Sequence, residues 1–304
     1  MNLKTIRTVG PLLIICAAVL WALDGILRRN LYSLPPITII FIEHLVGLII
    51  LLPFAWKLLL KEKLGKREWW LLLLIAILSG LLGTLWFTTA LLKVHFISFS
   101  VVFLLQKLQP LFAIGSARLF LKEKISRGYV KWAVLAVIAA YFITFKDGVV
   151  NIKTGEGTII AALYALGAAF AWGTSTTFSK MLLGKVHATV STFYRFLFTS
   201  IIAGICVVSL GYIGTLSQIT ITQLGLFVII ALSTGMVALM IYYRGLARTP
   251  VHIATILELT FPFIAILIDM KLYHSTLAFS QWVAVFVLVY SIYRVVQLQN
   301  GISK

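Results

Sequence analysis

Charged residues are scarce in this sequence, and acidic ones are the scarcest. Only 12% of the 304 residues are charged and nine are acidic, whereas 61% are hydrophobic. Soluble globular domains carry about 25% charged residues, and disordered chains are poor in apolar ones. The composition therefore excludes both a soluble domain and a disordered chain.

Cysteine is nearly absent, and so are the short motifs of catalysis. Cys16 and Cys206 fall in separate apolar stretches, so no disulfide is expected. The sequence has no CxxC or HExxH pair, no GxSxG turn and no glycine-rich phosphate loop, and its five histidines are scattered. We therefore predict no enzyme activity, no metal or cofactor, and no direct use of ATP.

Long apolar runs fill the chain instead. A transmembrane helix needs about 20 mostly apolar residues. The sequence has ten such runs, at 10–31, 37–60, 69–92, 96–121, 129–146, 157–183, 188–211, 221–246, 251–271 and 274–298. The predicted fold class is an all-α integral membrane protein with ten transmembrane helices. The first run lacks a cleavage site, so we expect a retained helix rather than a secretory signal.

The net charge of +17 indicates orientation rather than nucleic-acid binding. If the amino terminus is cytoplasmic, 18 of the 26 Lys and Arg residues lie at the cytoplasmic ends of the runs and six at the opposite ends. Cytoplasmic loops of membrane proteins are enriched in these residues. We therefore expect both termini in the cytoplasm, a bacterial inner membrane as the location, and lipid rather than nucleic acid as a partner.

Landmark residues recur at a nearly constant spacing across the two halves. Four pairs are 151 or 152 positions apart: Trp21 and Trp172, His44 and Arg195, Gln106 and Glu258, and Pro110 and Pro262. We interpret them as two five-helix repeats, residues 1–150 and 151–304, within one membrane unit. Since five crossings are an odd number, the second repeat is inverted. Inverted repeats are typical of secondary transporters, whose substrate site lies near the midplane.

Four segments carry a family resemblance: AAVLWALDG (17–25), AAFAWGTST (168–176), LQKLQPLFAIGSARLFLKEKIS (105–126) and LELTFPFIAILIDMKL (257–272). They resemble the drug/metabolite transporter superfamily, specifically its EamA-like branch. The resemblance covers nearly the whole chain and implies a ten-helix transporter of a small metabolite, with export as the expected direction. One departure is that the second repeat has Tyr273-His274-Ser275 where the first has Lys122-Glu123-Lys124.

Two ionisable residues lie deep within predicted spans. A charge at the centre of a span costs about 2.5–3.5 kcal/mol, so such a residue usually faces a cavity or the bundle interior. Lys107 lies beside Gln106 and Gln109, and Glu258 occupies the equivalent depth four residues before Pro262. We predict a polar centre that binds substrate or a proton, so proton coupling is a hypothesis. A buried Lys107–Glu258 pair that only joins two spans is the alternative.

Other polar residues and two prolines are candidates for gating or coupling. Asp24 lies one helical turn before Arg28, which favours an exposed ion pair over substrate contact. Glu43, His44 and Arg195 either lock the repeats alternately or pair with neighbours. Proline loosens a helix because it removes a backbone donor. The candidates are Asp24, Glu43, His44, Pro110, Arg195 and Pro262.

Aromatic residues deep in the spans suggest a binding cavity. Trp69 begins a span and is explained by the membrane interface, whereas Trp21, Trp86 and Trp172 lie deeper. Trp172 shares a helical face with Ser175, which either lines a cavity or serves helix packing. The substrate-binding candidates are Trp21, Trp86, Gln106, Lys107, Gln109, Trp172, Ser175, Tyr242 and Glu258.

The predicted function is secondary active transport of a small organic metabolite, by alternating access through a central cavity. A lining of aromatic, amide and charged groups favours an amino acid or a similar zwitterion as the small-molecule substrate. A passive channel or facilitator for small solutes, which would use the same bundle without a conformational cycle, is the alternative.

Overall fold

The protein is a bundle of helices. The computed structural model describes residues 3–93, 105–106, 108–150, 158–273 and 276–301, and no β-strand occurs in these ranges. The helices are α1 (Leu3–Arg29), α2 (Pro36–Leu59), α3 (Lys66–Ile75), α4 (Thr84–Lys93), α5 (Gln109–Ser116), α6 (Arg127–Thr144), α7 (Thr158–Leu183), α8 (Ala188–Ser209), α9 (Ile221–Leu232), α10 (Met236–Leu246), α11 (Val251–Leu257), α12 (Thr260–Tyr273) and α13 (Phe279–Gly301). Two π-helical segments, Ala76–Gly83 and Ala117–Leu121, extend α3 and α5.

Eight helical stretches in the described part are long and apolar enough to cross a membrane. They are Val9–Arg28, Pro36–Leu59, Lys66–Ala90, Arg127–Thr144, Ile159–Leu183, Ala188–Ser209, Ile221–Leu246 and Phe279–Leu298. A shorter apolar stretch, Val251–Ala265, occupies the predicted ninth span, and the predicted fourth span lies partly outside the described residues. The prediction of an all-α, multi-pass membrane protein is confirmed, while ten crossings stay a prediction.

The outer surface of the bundle is apolar. Ile49, Leu163, Ile205 and Phe286 are each more than 60% exposed, although their side chains are large and hydrophobic. Such a surface is costly in water but matches the hydrocarbon of a bilayer, where helices satisfy their own backbone hydrogen bonds. The polar side chains considered below therefore face the inside of the bundle.

Two of the predicted continuous spans are interrupted near the middle. In the ninth, Pro262 has no N–H to bond the carbonyl of Glu258 four residues earlier, and α11 ends at Leu257. In the eighth, the N–H of Gly235 bonds the carbonyl of Ile230 at 2.7 Å, five residues back, and the helix stops between α9 and α10. Irregular backbone at membrane depth persists only where it is buried in protein or lines a cavity.

Helices from the two halves of the chain pack against each other. The most extensive contacts pair α2 with α8, α6 with α13, α1 with α10, and α5 with α7. A Cβ on Gly173 of α7 would lie 2.7 Å from the carbonyl oxygen of Gln109, so glycine permits the close approach of α5 and α7. Because each pair joins the first half to the second, a cavity inside the bundle has walls from both.

We call the end of the bundle where α1 begins and α13 ends the terminus side. Glu123, in the loop after the Ala117–Leu121 segment, accepts hydrogen bonds from the backbone N–H groups of Val251 and His252 at 2.8 and 3.1 Å. Its Oε2 also lies 2.5 Å from Nδ1 of His252. Burial would raise the pKa of the Glu123 carboxyl, but the hydrogen bonds from His252 and Val251 outweigh it and hold that pKa below its usual range. Glu123 therefore joins the first half to the start of α11.

Candidate functional site

A cavity of about 460 Å³ lies inside the bundle. It has the size of a small-molecule site, for which about 300–1,000 Å³ is usual. Its lining comes from both halves of the chain and includes the interrupted spans. In α1, α2 and α6 the lining residues, such as Arg28, Glu43 and Thr144, lie in the part of each helix away from the terminus side. The cavity therefore extends toward the end of the bundle opposite Glu123.

Aromatic side chains form part of the wall. The ring centroids of Trp21 and Tyr242 are 5.0 Å apart, and those of Phe87 and Trp172 are 5.3 Å apart. The indole N–H of Trp172 donates to the carbonyl of Ser79 at 3.2 Å. Ser79 lies in the π-helical segment, so this segment contributes a backbone acceptor to the cavity wall. Trp21, Trp172 and Tyr242 thus line one cavity, as the sequence predicted, while a role in substrate binding stays a prediction.

Glu258 is the centre of a polar cluster at the end of α11. Its Oε1 accepts a hydrogen bond from the Tyr242 hydroxyl at 2.6 Å, and its Oε2 accepts one from Nε2 of Gln109 at 3.0 Å. Gln106 and Pro262 line the same cavity. The cluster therefore joins the predicted fourth, eighth and ninth spans. The predicted Lys107–Glu258 pair involves Lys107, which lies outside the described residues.

A second polar cluster is built around Arg28. Its Nε bonds Asp24, one turn earlier, and its Nη2 bonds Oε1 of Glu43 at 2.7 Å. The Thr234 hydroxyl, in the break between α9 and α10, donates to Oδ1 of Asp24 at 2.6 Å. The pair of Asp24 and Arg28 exists as expected, but its side chains are only 24% and 16% exposed. Arg28 also pairs with Glu43 of α2, so two carboxylates share one guanidinium. The sequence analysis missed Thr234. The Ser-Thr-Gly stretch that contains it interrupts an apolar run, and this polar interruption could have indicated the residue.

Arg195 and His44 lie on adjacent helices of the same wall. Nη1 of Arg195 donates to the Tyr243 hydroxyl at 3.1 Å, and the Ser179 hydroxyl lies 3.2 Å from that of Tyr243. The His44 ring is 4.7 Å from that of Phe196, and its Nδ1 is 2.8 Å from the carbonyl of Ile40, so Nδ1 carries the proton.

Several buried polar atoms of the wall have no hydrogen-bond partner among the described residues. Within the described ranges, the cavity-lining atoms of this kind are Glu43 Oε2, Gln106 Oε1, Ser175 Oγ, Arg195 Nε and Thr255 Oγ1. An unsatisfied buried polar group costs about 1–3 kcal/mol. A polar solute in the cavity can supply partners for such atoms, so the cavity is suited to a molecule with both aromatic and polar parts.

The structure separates one predicted residue from the cavity. Trp86 is not among the lining residues, and it packs on Gly167, where a Cβ would lie 2.9 Å from its ring. The other described binding candidates, Gln106, Gln109 and Ser175 among them, line the cavity, as do all the gating candidates, Asp24, Glu43, His44, Pro110, Arg195 and Pro262. No cluster of three or more metal-ligating His, Cys, Asp or Glu residues occurs in the described ranges.

Known proteins match this chain along most of its length. A riboflavin transporter, ImpX, from Fusobacterium nucleatum subsp. nucleatum (strain ATCC 23726 / VPI 4351) is 36% identical over 292 residues, which are 95% of this chain and 98% of that protein. A protein of known crystal structure shares the fold, with a TM-score of 0.74 and 14% identity over 96% of this chain and 98% of its own. The EamA-like transporter family matches residues 8–145 and again residues 159–297. The protein is a small-metabolite transporter rather than an enzyme, and its chain belongs to the EamA-like transporter family.

Proposed function

We propose that this protein carries riboflavin, or a closely similar uncharged flavin, across a bacterial inner membrane through the cavity described above. The observation that carries the proposal is a cavity of about 460 Å³ whose wall combines aromatic rings with buried polar atoms that need partners. Riboflavin has a flat aromatic three-ring system and a hydroxylated side chain, so it can use both kinds of wall. The riboflavin transporter that is 36% identical to this chain supports the same substrate.

The two-repeat organisation supports transport at the centre of the bundle. The family matches the chain twice, at residues 8–145 and 159–297, which supports repeats of 1–150 and 151–304. Both members of all four sequence-predicted pairs, from Trp21 and Trp172 to Pro110 and Pro262, line the cavity. In inverted-repeat transporters the substrate site lies between the repeats near the midplane. We therefore place the flavin between the two halves.

Alternating access is supported by the difference between the two ends of the bundle. On the terminus side Glu123 joins the first half of the chain to the start of α11, while the cavity extends toward the other end. With both termini cytoplasmic, as the basic residues predict, the cavity faces away from the cytoplasm. Passage of a solute then requires the contacts of Glu123 to break.

The proposal replaces the amino acid favoured by the sequence with a flavin. Neither an amino-acid substrate nor export is supported by the known relatives, so the direction of transport stays a prediction. Proton coupling through Glu258 and a role for Lys107 also stay predictions. A passive channel is the competing function, and it differs from a carrier in one measurable property, because only a carrier exchanges solutes by reorienting its site.

The test is riboflavin counterflow in proteoliposomes. Vesicles loaded with unlabelled riboflavin are diluted into isotope-labelled riboflavin, and a carrier accumulates label transiently above equilibrium. Ser175→Trp fills the cavity and should abolish accumulation. Leu163→Trp is the matched control, because Leu163 lies on the same helix but is 66% exposed on the outer surface. Equilibration without overshoot would favour a channel, and transport of an amino-acid mixture instead of riboflavin would overturn the substrate.

A further inference from the structure

We propose that the wall around Glu258 binds the hydroxylated side chain of the flavin and so selects a ring that carries a polyol over the bare ring. This inference rests on the proposed function, and it assigns one part of the substrate to one part of the cavity. The residues concerned are Glu258, Gln109, Gln106, Thr255 and Ser175, all of which line the cavity.

Hydrogen-bond acceptors predominate in this wall. The two carboxyl oxygens of Glu258 accept one described bond each, and each oxygen has a second lone pair that can accept another. Gln109 directs its amide nitrogen to Glu258, which leaves its carbonyl oxygen for another donor. Oε1 of Gln106 is buried without a partner. The wall therefore needs a ligand that supplies several hydrogen-bond donors.

Two further hydroxyl groups line the same cavity. Oγ1 of Thr255 and Oγ of Ser175 are buried without partners, and a hydroxyl can both donate and accept. A polyol presents several groups of the same kind in a row, so each can donate to a carboxylate or amide oxygen and accept from a hydroxyl. Tyr242 bonds Glu258, and its ring lies 5.0 Å from that of Trp21, so the two rings offer an apolar surface for the carbon chain or the edge of the flavin.

The ring system of a flavin does not match this wall. Its polar edge presents two carbonyl acceptors around a single N–H donor, so most of its contacts need donors from the protein. Donors lie on the neighbouring wall instead, where Nε of Arg195 is buried without a partner and Nη1 donates to Tyr243. Tyr242 and Tyr243 join the two walls, with ring centroids 6.2 Å apart. The distribution of donors and acceptors thus directs the polyol to Glu258.

The experiment compares riboflavin with lumiflavin, which has the same ring but a methyl group in place of the polyol. Binding to the purified full chain in detergent is measured by quenching of flavin fluorescence, so no transport step is needed. The variants are Glu258→Gln and Gln109→Leu. Glu62→Gln is the control for loss of a carboxylate, because Glu62 lies outside the cavity and accepts from the His187 N–H.

We expect the unaltered protein to bind riboflavin at least about tenfold more tightly than lumiflavin, and each variant to lose roughly five- to tenfold in riboflavin affinity, as for the loss of one hydrogen bond. Lumiflavin affinity should stay within about threefold in every variant, and Glu62→Gln should change neither ligand. Equal binding of the two ligands, or equal weakening of both, would overturn the assignment of the polyol. Failure of the unaltered protein to bind either flavin would instead overturn the proposed function.

Discussion

Replacing Glu123 by alanine should open the terminus side of the bundle. This carboxylate accepts three hydrogen bonds from the start of α11, two from the backbone N–H groups of Val251 and His252 and one from the His252 ring. Alanine removes all three acceptors at once. The N–H groups at the start of α11 then lose their partner, while the hydroxyl of Tyr129 still donates to the carbonyl of His252.

The magnitude follows from the number and type of these bonds. Loss of a helix-capping side chain costs about 1 kcal/mol, and a hydrogen bond to a charged group contributes about 1.5–3 kcal/mol. The three bonds share one carboxylate and are partly replaced by water, so they do not add fully. We expect a loss of roughly 2–3 kcal/mol in the closed arrangement, which corresponds to about a 30- to 150-fold increase in the population of opened molecules.

Accessibility of a single cysteine measures this opening. Thr249 is fully buried next to Gly10 on the terminus side, so Thr249→Cys in a chain with Cys16→Ala and Cys206→Ala is protected from a membrane-impermeant maleimide. Adding Glu123→Ala should raise the labelling rate at least about tenfold. Glu62→Ala is the matched control, because Glu62 also accepts from a backbone N–H at a helix start. Equal labelling with and without Glu123 would refute the reasoning.

Three further predictions concern pH, close packing and the buried charges. The pKa of Glu123 is depressed by its contacts, so closure should persist at neutral pH and weaken only as the pH falls below about 4, measured as labelling relative to Glu123→Ala at each pH. Gly173→Ala should lower the free energy of unfolding by about 1–3 kcal/mol because its Cβ meets the backbone of α5, whereas Gly225→Ala, with nothing within 4 Å, should change little in the same denaturation assay. Arg28→Ala should cost about 3–5 kcal/mol in thermal unfolding because it leaves the buried carboxylate of Glu43 and the partly buried carboxylate of Asp24 without their cation. Lys185→Ala, in an ion pair whose lysine side chain is 69% exposed, should cost less than about 1 kcal/mol.

The sequence predicted much of the lining of the cavity, because an ionisable or amide side chain in an apolar span stands out and must face the bundle interior. Glu258 was identified in this way and lines the cavity, as does the gating candidate Glu43, whereas Asp24, which also lines it, was expected in an exposed ion pair. The same reasoning separated Trp69 from the deeper tryptophans but could not separate Trp86 from Trp172. Both lie deep in a span, and only the neighbouring helix decides that Trp86 packs on Gly167.

The partners of these residues could not be predicted, because hydrogen bonds between helices depend on how the helices pack. Glu258 was expected beside Lys107, yet its described bonds are with Tyr242 and Gln109. Glu123 was noted as a departure between the repeats, but its contact with His252 joins positions 129 residues apart. The break at Gly235 was also missed, since an isolated Gly is tolerated within a continuous helix and the same run holds two others, Gly225 and Gly245.

The sequence by itself determined that this protein lies in a membrane, that it is helical and that its two halves are similar. These properties depend on the length of apolar runs and on their spacing, which are local and additive along the chain. The tertiary structure alone decided which polar groups meet, where the helices are interrupted and toward which end of the bundle the cavity extends. Those features arise from contacts between helices distant in sequence, because an unpaired polar group inside the bundle is stable only where another helix, water or a substrate supplies its partner.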